Sequence, residues 1–153
     1  AVGAKPGNVF GTGKNLPLIA MAHHIPYVAT ASVANLRDLE AKVMRAMGIS
    51  GSRYIHIHVP CPLGWGSEPA DTIKIARQAV ESGLFPLFEA ENGEVTDRYT
   101  LRRRVPVTDY LKLQKRFAHL FGKEPDVQTI AAIQAMADRN VQFFGLAEQA
   151  LSR

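Results

Sequence analysis

Two β-branched runs separated by one helix length set the frame for this chain. Tyr27-Val-Ala-Thr-Ala31 reads as a buried strand, and Tyr54-Ile-His-Ile-His-Val59 as a second one with period-two alternation. Between them Leu36, Leu39, Val43 and Met47 recur at helical spacing, an apolar face expected to pack inward. Asn35 stands at the N-cap, Asp38 in the first turn and Gly48 at the stop. Strand, helix and strand in that order favour a right-handed crossover with the two strands parallel. Their C-terminal ends then share one edge of the sheet, where ligands of open α/β sheets sit. The expected fold class is α/β.

At that edge the second strand runs into Pro60-Cys-Pro-Leu-Gly-Trp-Gly66. Two prolines remove backbone donors on either side of Cys61, and Gly64 and Gly66 permit sharp angles around Trp65. A tight loop is expected, followed by a helix starting at Ser67-Glu68-Pro69. Cys61 is the single cysteine of the 153 residues. A lone thiol is most often a small buried hydrophobe. A thiol fixed at a strand end also suits a metal ligand or nucleophile. Both readings stand on the residues alone, and a cluster at Cys61 needs its other ligands from elsewhere. One cysteine excludes an internal disulfide framework and suits a reducing cytoplasm.

The remaining chain alternates in the same manner. Residues 1–14 hold four glycines and read as a loop. Gly11-Thr-Gly-Lys14 is not a phosphate loop: Asn8 stands where the first glycine is needed, and Asn15 follows the lysine. Residues 16–24 form a short apolar helix ended by Ile25-Pro26. A helix is expected over 69–82 with Ile73, Ala76 and Val80 inward and Gly83 as its stop. A strand over 84–89 follows, near a sheet edge because of Pro86. Asn92-Gly93 signals a turn, and 95–105 pairs back or lies on the surface. Thr108 opens a helix to Phe121. Asp126 caps a last helix whose stripe is Ile130, Ile133, Ala137, Val141, Phe144 and Leu151.

Composition narrows the function classes. Net charge is +4, with 46% hydrophobic and 21% charged residues, the values of a soluble globular domain. No apolar run reaches the roughly 20 residues of a membrane span, and no signal-peptide pattern opens the chain. Arg102-Arg103-Arg104 is the one dense basic patch, a solvated strand end or a contact for an acidic group. No aromatics interleave with it, which argues against single-stranded nucleic acid. His56 and His58 share one strand face, where they are either satisfied polar core residues or part of a zinc site.

Four stretches together carry a resemblance. They are Ile25-Pro-Tyr-Val-Ala-Thr-Ala31; Pro60-Cys-Pro-Leu-Gly-Trp65; Ala79-Val-Glu-Ser-Gly83 with Pro86-Leu-Phe-Glu89; and Val107-Thr-Asp-Tyr-Leu-Lys-Leu-Gln-Lys-Arg-Phe-Ala-His-Leu120. The chain resembles the C-terminal half of the thiamine-diphosphate-binding β subunit of the pyruvate:ferredoxin oxidoreductase (pyruvate synthase) family, within the 2-oxoacid:ferredoxin oxidoreductases. The resemblance implies part of a doubly wound thiamine domain with a mostly parallel sheet over residues 1–105, and a helical extension over 106–153. It implies oxidative decarboxylation of a 2-oxoacid, most simply pyruvate, to acyl-coenzyme A, with electrons passing to ferredoxin. Thiamine diphosphate, Mg²⁺ and a [4Fe–4S] cluster are the implied cofactors. Other subunits, of α, γ and δ type, are the implied partners, with neither nucleic acid nor membrane.

In the family, the Pro-Cys-Pro-x-Gly-Trp cysteine is similar to the fourth cluster ligand, which places that role on Cys61. Gly3-Ala4 resembles the tail of the Thr-Pro-x-Gly-Ala stretch flanking the thiamine diphosphate site. The family's Gly-Asp-Gly and Asn-Thr-Gly motifs do not occur in this sequence, so the chain by itself is expected to hold neither cofactor. The alternatives are a non-catalytic assembly module, a thiol enzyme built on Cys61, and a relative acting on branched-chain or aryl 2-oxoacids.

Overall fold

The computed structural model describes residues 14–147. Its centre is β1 (Tyr27–Ser32), a strand buried along its whole length. Beside it runs β2 (Arg53–His58), parallel, with Tyr27 opposite Arg53 and Ser32 opposite His58. The crossover is α2 (Leu36–Gly48). On the other side of β1 lies β3 (Phe88–Glu91), antiparallel, followed by β4 (Glu94–Arg98). Asn92 and Gly93, at φ 51° and 93°, make the turn between them. The sheet order is β2-β1-β3-β4. The α/β class and the parallel β1–β2 pair agree with the sequence, while the sheet as a whole is mixed.

The third strand departs from expectation in place. It begins after Pro86 and lies inside the sheet. Pro86 stays out of the ladder, and its carbonyl accepts from Thr30 Oγ1 at 2.7 Å, so the missing N–H of the proline breaks no pairing.

Alternation puts Tyr27 and Ala29 on one face of β1, where they meet Ala46 with Ile49 and Ile55 at their margin. Val28 enters the larger core on the other face. That core takes Met21 from α1 (Leu16–Ala22), Val80 from α4 (Thr72–Glu81), and Val141 and Phe144 from α6 (Val127–Phe144). Phe88 and Phe144 stack there with centroids 4.5 Å apart. A third cluster, with Ile75, Leu111 and Ala137, joins α4, α6 and α5 (Val107–Lys112). Asp126 caps α6 as expected, accepting from Thr129 N at 2.9 Å. Leu151, the last residue of the expected stripe, lies outside the described residues.

α2 is turned over relative to its sequence pattern. Leu36, Val43 and Met47 are exposed, Met47 by 72%, whereas Lys42 is only 2% exposed. Directional bonds decide this orientation. Lys42 Nζ donates to the Thr30 carbonyl at 2.9 Å and pairs with Asp38 at 2.8 Å. Arg45 reaches Glu91 at 2.7 Å and Glu89 at 3.4 Å on β3. Tyr27 donates to the same Glu89, and burial together with that carboxylate pushes the phenol well above its ordinary pKa. Asn35 precedes the helix without a side-chain cap bond.

Two helices are also shorter than periodicity suggested. Pro69–Asp71 is a 3₁₀ turn before α4, in which Ile75 faces inward and Ile73 is exposed. The helix expected over 108–121 stops at α5, and Lys115–Phe121 continues as a 3₁₀ stretch. The cause is Gln114. It is 1% exposed, its backbone is extended, and its Nε2 donates to the Tyr110 carbonyl at 2.7 Å. The side chain thus takes the acceptor that the next helical amide would use.

Candidate functional site

β2 delivers its C-terminal end to Pro60, which is buried, and then to Cys61, which is exposed. The expected loop is one helical turn, α3 (Pro62–Trp65), with Cys61 at its N-cap. Gly66 closes it in the left-handed conformation, at φ 63°. A Cβ there would lie 2.8 Å from Lys115 Cβ, so the turn needs glycine for both conformation and space. Leu63 projects into solvent at 97% exposure. The turn therefore presents a thiol and a leucine outward.

Trp65, four residues after Cys61, faces inward and is held from behind. The Arg116 guanidinium lies 3.8 Å from the centre of the indole and 4.6 Å from that of Phe117. Arg116 Nε donates to Gln114 Oε1 at 2.9 Å, and another guanidinium nitrogen to the Tyr110 hydroxyl at 3.3 Å. Lys115 N donates to the Gly66 carbonyl at 3.2 Å. The break that Gln114 imposes after α5 thus brings two consecutive residues onto the Cys61 turn. Periodicity alone missed Arg116, although it lies within the Val107–Leu120 stretch that carries the resemblance.

His56 and His58 point to the face opposite α2. Phe85 meets both, with centroids 5.6 Å from His56 and 4.9 Å from His58, and Trp65 lies 5.8 Å from His58. Burial, with Arg116 and His56 as added positive neighbours, pushes the His58 pKa down to about 4. His58 is therefore a neutral imidazole at pH 7. Among the described residues, the buried side-chain atoms without a hydrogen-bond partner are His56 Nδ1, His58 Nδ1, Ser67 Oγ and Gln78 Oε1. Three of these fall between residues 56 and 67, around Cys61. The polar-core reading of the two histidines thus holds for position but not for satisfaction. A cavity of ≈ 230 Å³ opens beside His56, lined also by Thr30, Phe85, Asn140 and Phe144.

Among the described residues, no three His, Cys, Asp or Glu side chains converge on a metal position. Cys61 is one exposed free cysteine, fit to serve as a single ligand whose companions come from outside these residues. Gly3 and Ala4 lie outside the described residues. Of the basic patch, Arg102, Arg103 and Arg104 are exposed, and Arg104 pairs with Asp138 of α6 at 2.5 Å. No helix among the described residues is long and apolar enough to cross a membrane.

No protein-family model matches the chain. It is similar to pyruvate synthase subunit PorB of Methanosarcina barkeri, at 47% identity over 133 residues, covering 87% of this chain and 45% of the relative. PorB of Pyrococcus furiosus is 39% identical over 148 residues, covering 82% of this chain and 45% of the relative. Ketoisovalerate oxidoreductase subunit VorB of the same organism is 40% identical over 114 residues, covering 73% and 36%. The chain spans less than half the length of the relatives it matches. With that span, it belongs to the family of oxidoreductase subunits that contains pyruvate synthase PorB and ketoisovalerate oxidoreductase VorB.

Proposed function

We propose that this chain forms the C-terminal part of the thiamine-diphosphate-binding β subunit of a 2-oxoacid:ferredoxin oxidoreductase, with Cys61 as one thiolate ligand of a [4Fe–4S] cluster. The observation that carries the ligand role is the exposure of Cys61 at the C-terminal end of a parallel strand. A cysteine kept for packing is buried. This one is exposed. Residues 1–105 supply half of the thiamine domain, and 106–153 a helical extension packed upon it.

In this reading the thiamine diphosphate, with Mg²⁺, supplies the carbanion chemistry that releases carbon dioxide, and the cluster carries electrons singly toward ferredoxin. The chain's own contribution is positional. Pro60 and Pro62 limit the backbone around the thiolate. Trp65 and Arg116 hold the turn from behind. His58 stays uncharged at pH 7 and adds no cation beneath it. Further subunits of α, γ and δ type, coenzyme A and ferredoxin complete the enzyme, which works in the cytoplasm. Pyruvate is the favoured acid, because identity to PorB reaches 49% against 41% for VorB. The VorB match supports a second reading, ketoisovalerate, and assaying both acids side by side separates the two.

The test of the site is Cys61→Ser in the assembled enzyme. A serine oxygen is a poorer ligand for cluster iron than a thiolate. Iron and sulfide content should fall, and one cluster's electron paramagnetic resonance signal should vanish or change, while subunit assembly persists. Unchanged iron and unchanged ferredoxin reduction would refute the ligand role.

A further inference from the structure

Past β4 the side chains of residues 98–105 sort by a period of two. Leu101 and Val105 turn inward and are buried, whereas Arg98, Thr100, Arg102 and Arg104 line one open groove of ≈ 940 Å³. The C-terminal half of α6 forms the opposite wall, with Asp138 and Gly145. Arg103 is exposed but does not line the groove. The backbone of this segment is anchored twice: Leu101 N donates to the Leu146 carbonyl at 2.8 Å, and Val105 N to the Glu81 carbonyl at 3.3 Å.

Two of the three guanidinia are aimed by the protein itself. Arg98 Nη1 donates to the Phe144 carbonyl at 3.1 Å, at the end of α6 where the helix dipole favours a cation. Gly145 permits that approach. It sits at φ 61°, and a Cβ there would lie 2.6 Å from the same nitrogen. Arg104 is held by Asp138 at 2.5 Å, and Asp138 also accepts from Gln134 at 3.0 Å. Neither Arg98 nor Arg102 has a carboxylate partner among the described residues. Three guanidinia thus meet one carboxylate, which leaves two positive charges unbalanced in a concave wall. A cleft lined by one sign of charge focuses its field on whatever enters it.

We propose that this groove is a binding site for a compact phosphoryl anion, a phosphate monoester or a diphosphate. Guanidinium forks match phosphate oxygens in pairs, and the Thr100 hydroxyl offers a further donor. A phosphoryl group carries close to the two negative charges that the groove lacks, whereas a monocarboxylate supplies only half of them. A nucleic acid fits less well. Its phosphates run on past the three arginines, and among the described residues no aromatic side chain lines the groove to stack on its bases. The site stands on residues 98–104 and α6 alone, so it holds or fails independently of family membership and of the role of Cys61.

The experiment titrates the 153-residue chain with inorganic pyrophosphate at fixed chloride, by calorimetry and by NMR of the arginine Nε–H groups. One site with a Kd of about 1 mM or tighter is expected. Arg102→Gln, which breaks no recorded bond, should weaken it by at least about 10-fold, and Arg102→Lys by less. Arg103→Gln, one residue along but outside the groove, should change it by less than about 2-fold. The unfolding midpoint should rise with pyrophosphate in the wild type and in Arg103→Gln, and stay put in Arg102→Gln. Binding that does not saturate by about 10 mM, equal losses in Arg102→Gln and Arg103→Gln, or acetate binding as tightly as pyrophosphate overturns the proposal. So does a single-stranded oligonucleotide that binds more tightly than pyrophosphate and is weakened as much by Arg103→Gln as by Arg102→Gln.

Discussion

Acidification from pH 7 to pH 4 should weaken this fold mainly through one imidazole. His58 sits against Phe85 and Trp65, its Nδ1 has no partner among the described residues, and its pKa is pushed down to about 4. Burial is the largest cause, followed by the charges of Arg116 and His56. In the unfolded chain the same group titrates near 6.5. Between these values the unfolded state binds a proton that the folded state refuses. Stability is therefore full above pH 6.5 and is lost as pH falls toward 4. At about 1.4 kcal/mol per unit of pKa, the loss is on the order of 3 kcal/mol. That is a large part of the ~5–15 kcal/mol by which domains are normally stable. Asp126 and Asp138 have lowered pKa values and lose their contributions only as pH falls below 3.8, so the windows separate. Urea unfolding at half-unit pH steps, followed by the fluorescence of Trp65, the single tryptophan, measures the slope. His58→Phe keeps an aromatic ring in place and removes the titration, so it should flatten the curve between pH 6.5 and 4. A wild-type stability that is level over that range, or a His58 ring titrating at 6.5 by NMR, would refute the reasoning.

Two further outcomes are expected. Arg116→Ala removes the cation from Trp65 and leaves buried Gln114 Oε1 without its donor, a loss of about 1–2 kcal/mol. Trp65 emission should shift to the red and the His58 pKa should rise while staying below 6.5, with Arg116→Lys between; an unmoved emission spectrum would count against the clamp. Gly83→Ala should destabilise by about 2–4 kcal/mol, because φ is +84° and the new Cβ would meet Val141 Cγ2 at 2.6 Å and the Ala137 carbonyl at 3.0 Å. Gly48→Ala, with open space around it, serves as the control, and equal unfolding midpoints for the two variants would contradict the packing argument.

The elements whose signals are local were legible in the sequence. The β1–α2–β2 crossover, the Asn92-Gly93 turn and the Asp126 cap each follow from short-range pattern and chirality. Cys61 could be located at a strand end for the same reason. What could not be read depends on partners distant in the chain. The roll of α2 follows from the reach of Arg45 to Glu89 and Glu91, more than 40 residues away. An apolar stripe announces only that it will be covered, not by what. The break after α5 needed knowledge that Gln114 is buried, because an exposed glutamine continues a helix without difficulty. The turn formed by Pro62–Trp65 is too short to have a period. Arg116 carried no signal of its own, since a basic residue in an amphipathic stretch ordinarily points to water.

The hydrogen bonds beneath α2 have a consequence for the freedom of the helix itself. A helix held by apolar contacts alone can roll by a fraction of a turn and still bury much the same area. Lys42, tied to a main-chain carbonyl of β1, and Arg45, tied to two carboxylates of β3, remove that freedom. The azimuth of Leu36, Val43 and Met47 is thus set by bonds on the other side of the helix. The stripe has already given up its rotational entropy, so that ordering cost is met in folding. Loosening Lys42 should consequently widen the range of directions that Leu36, Val43 and Met47 sample, although its own bonds run to Thr30 and Asp38.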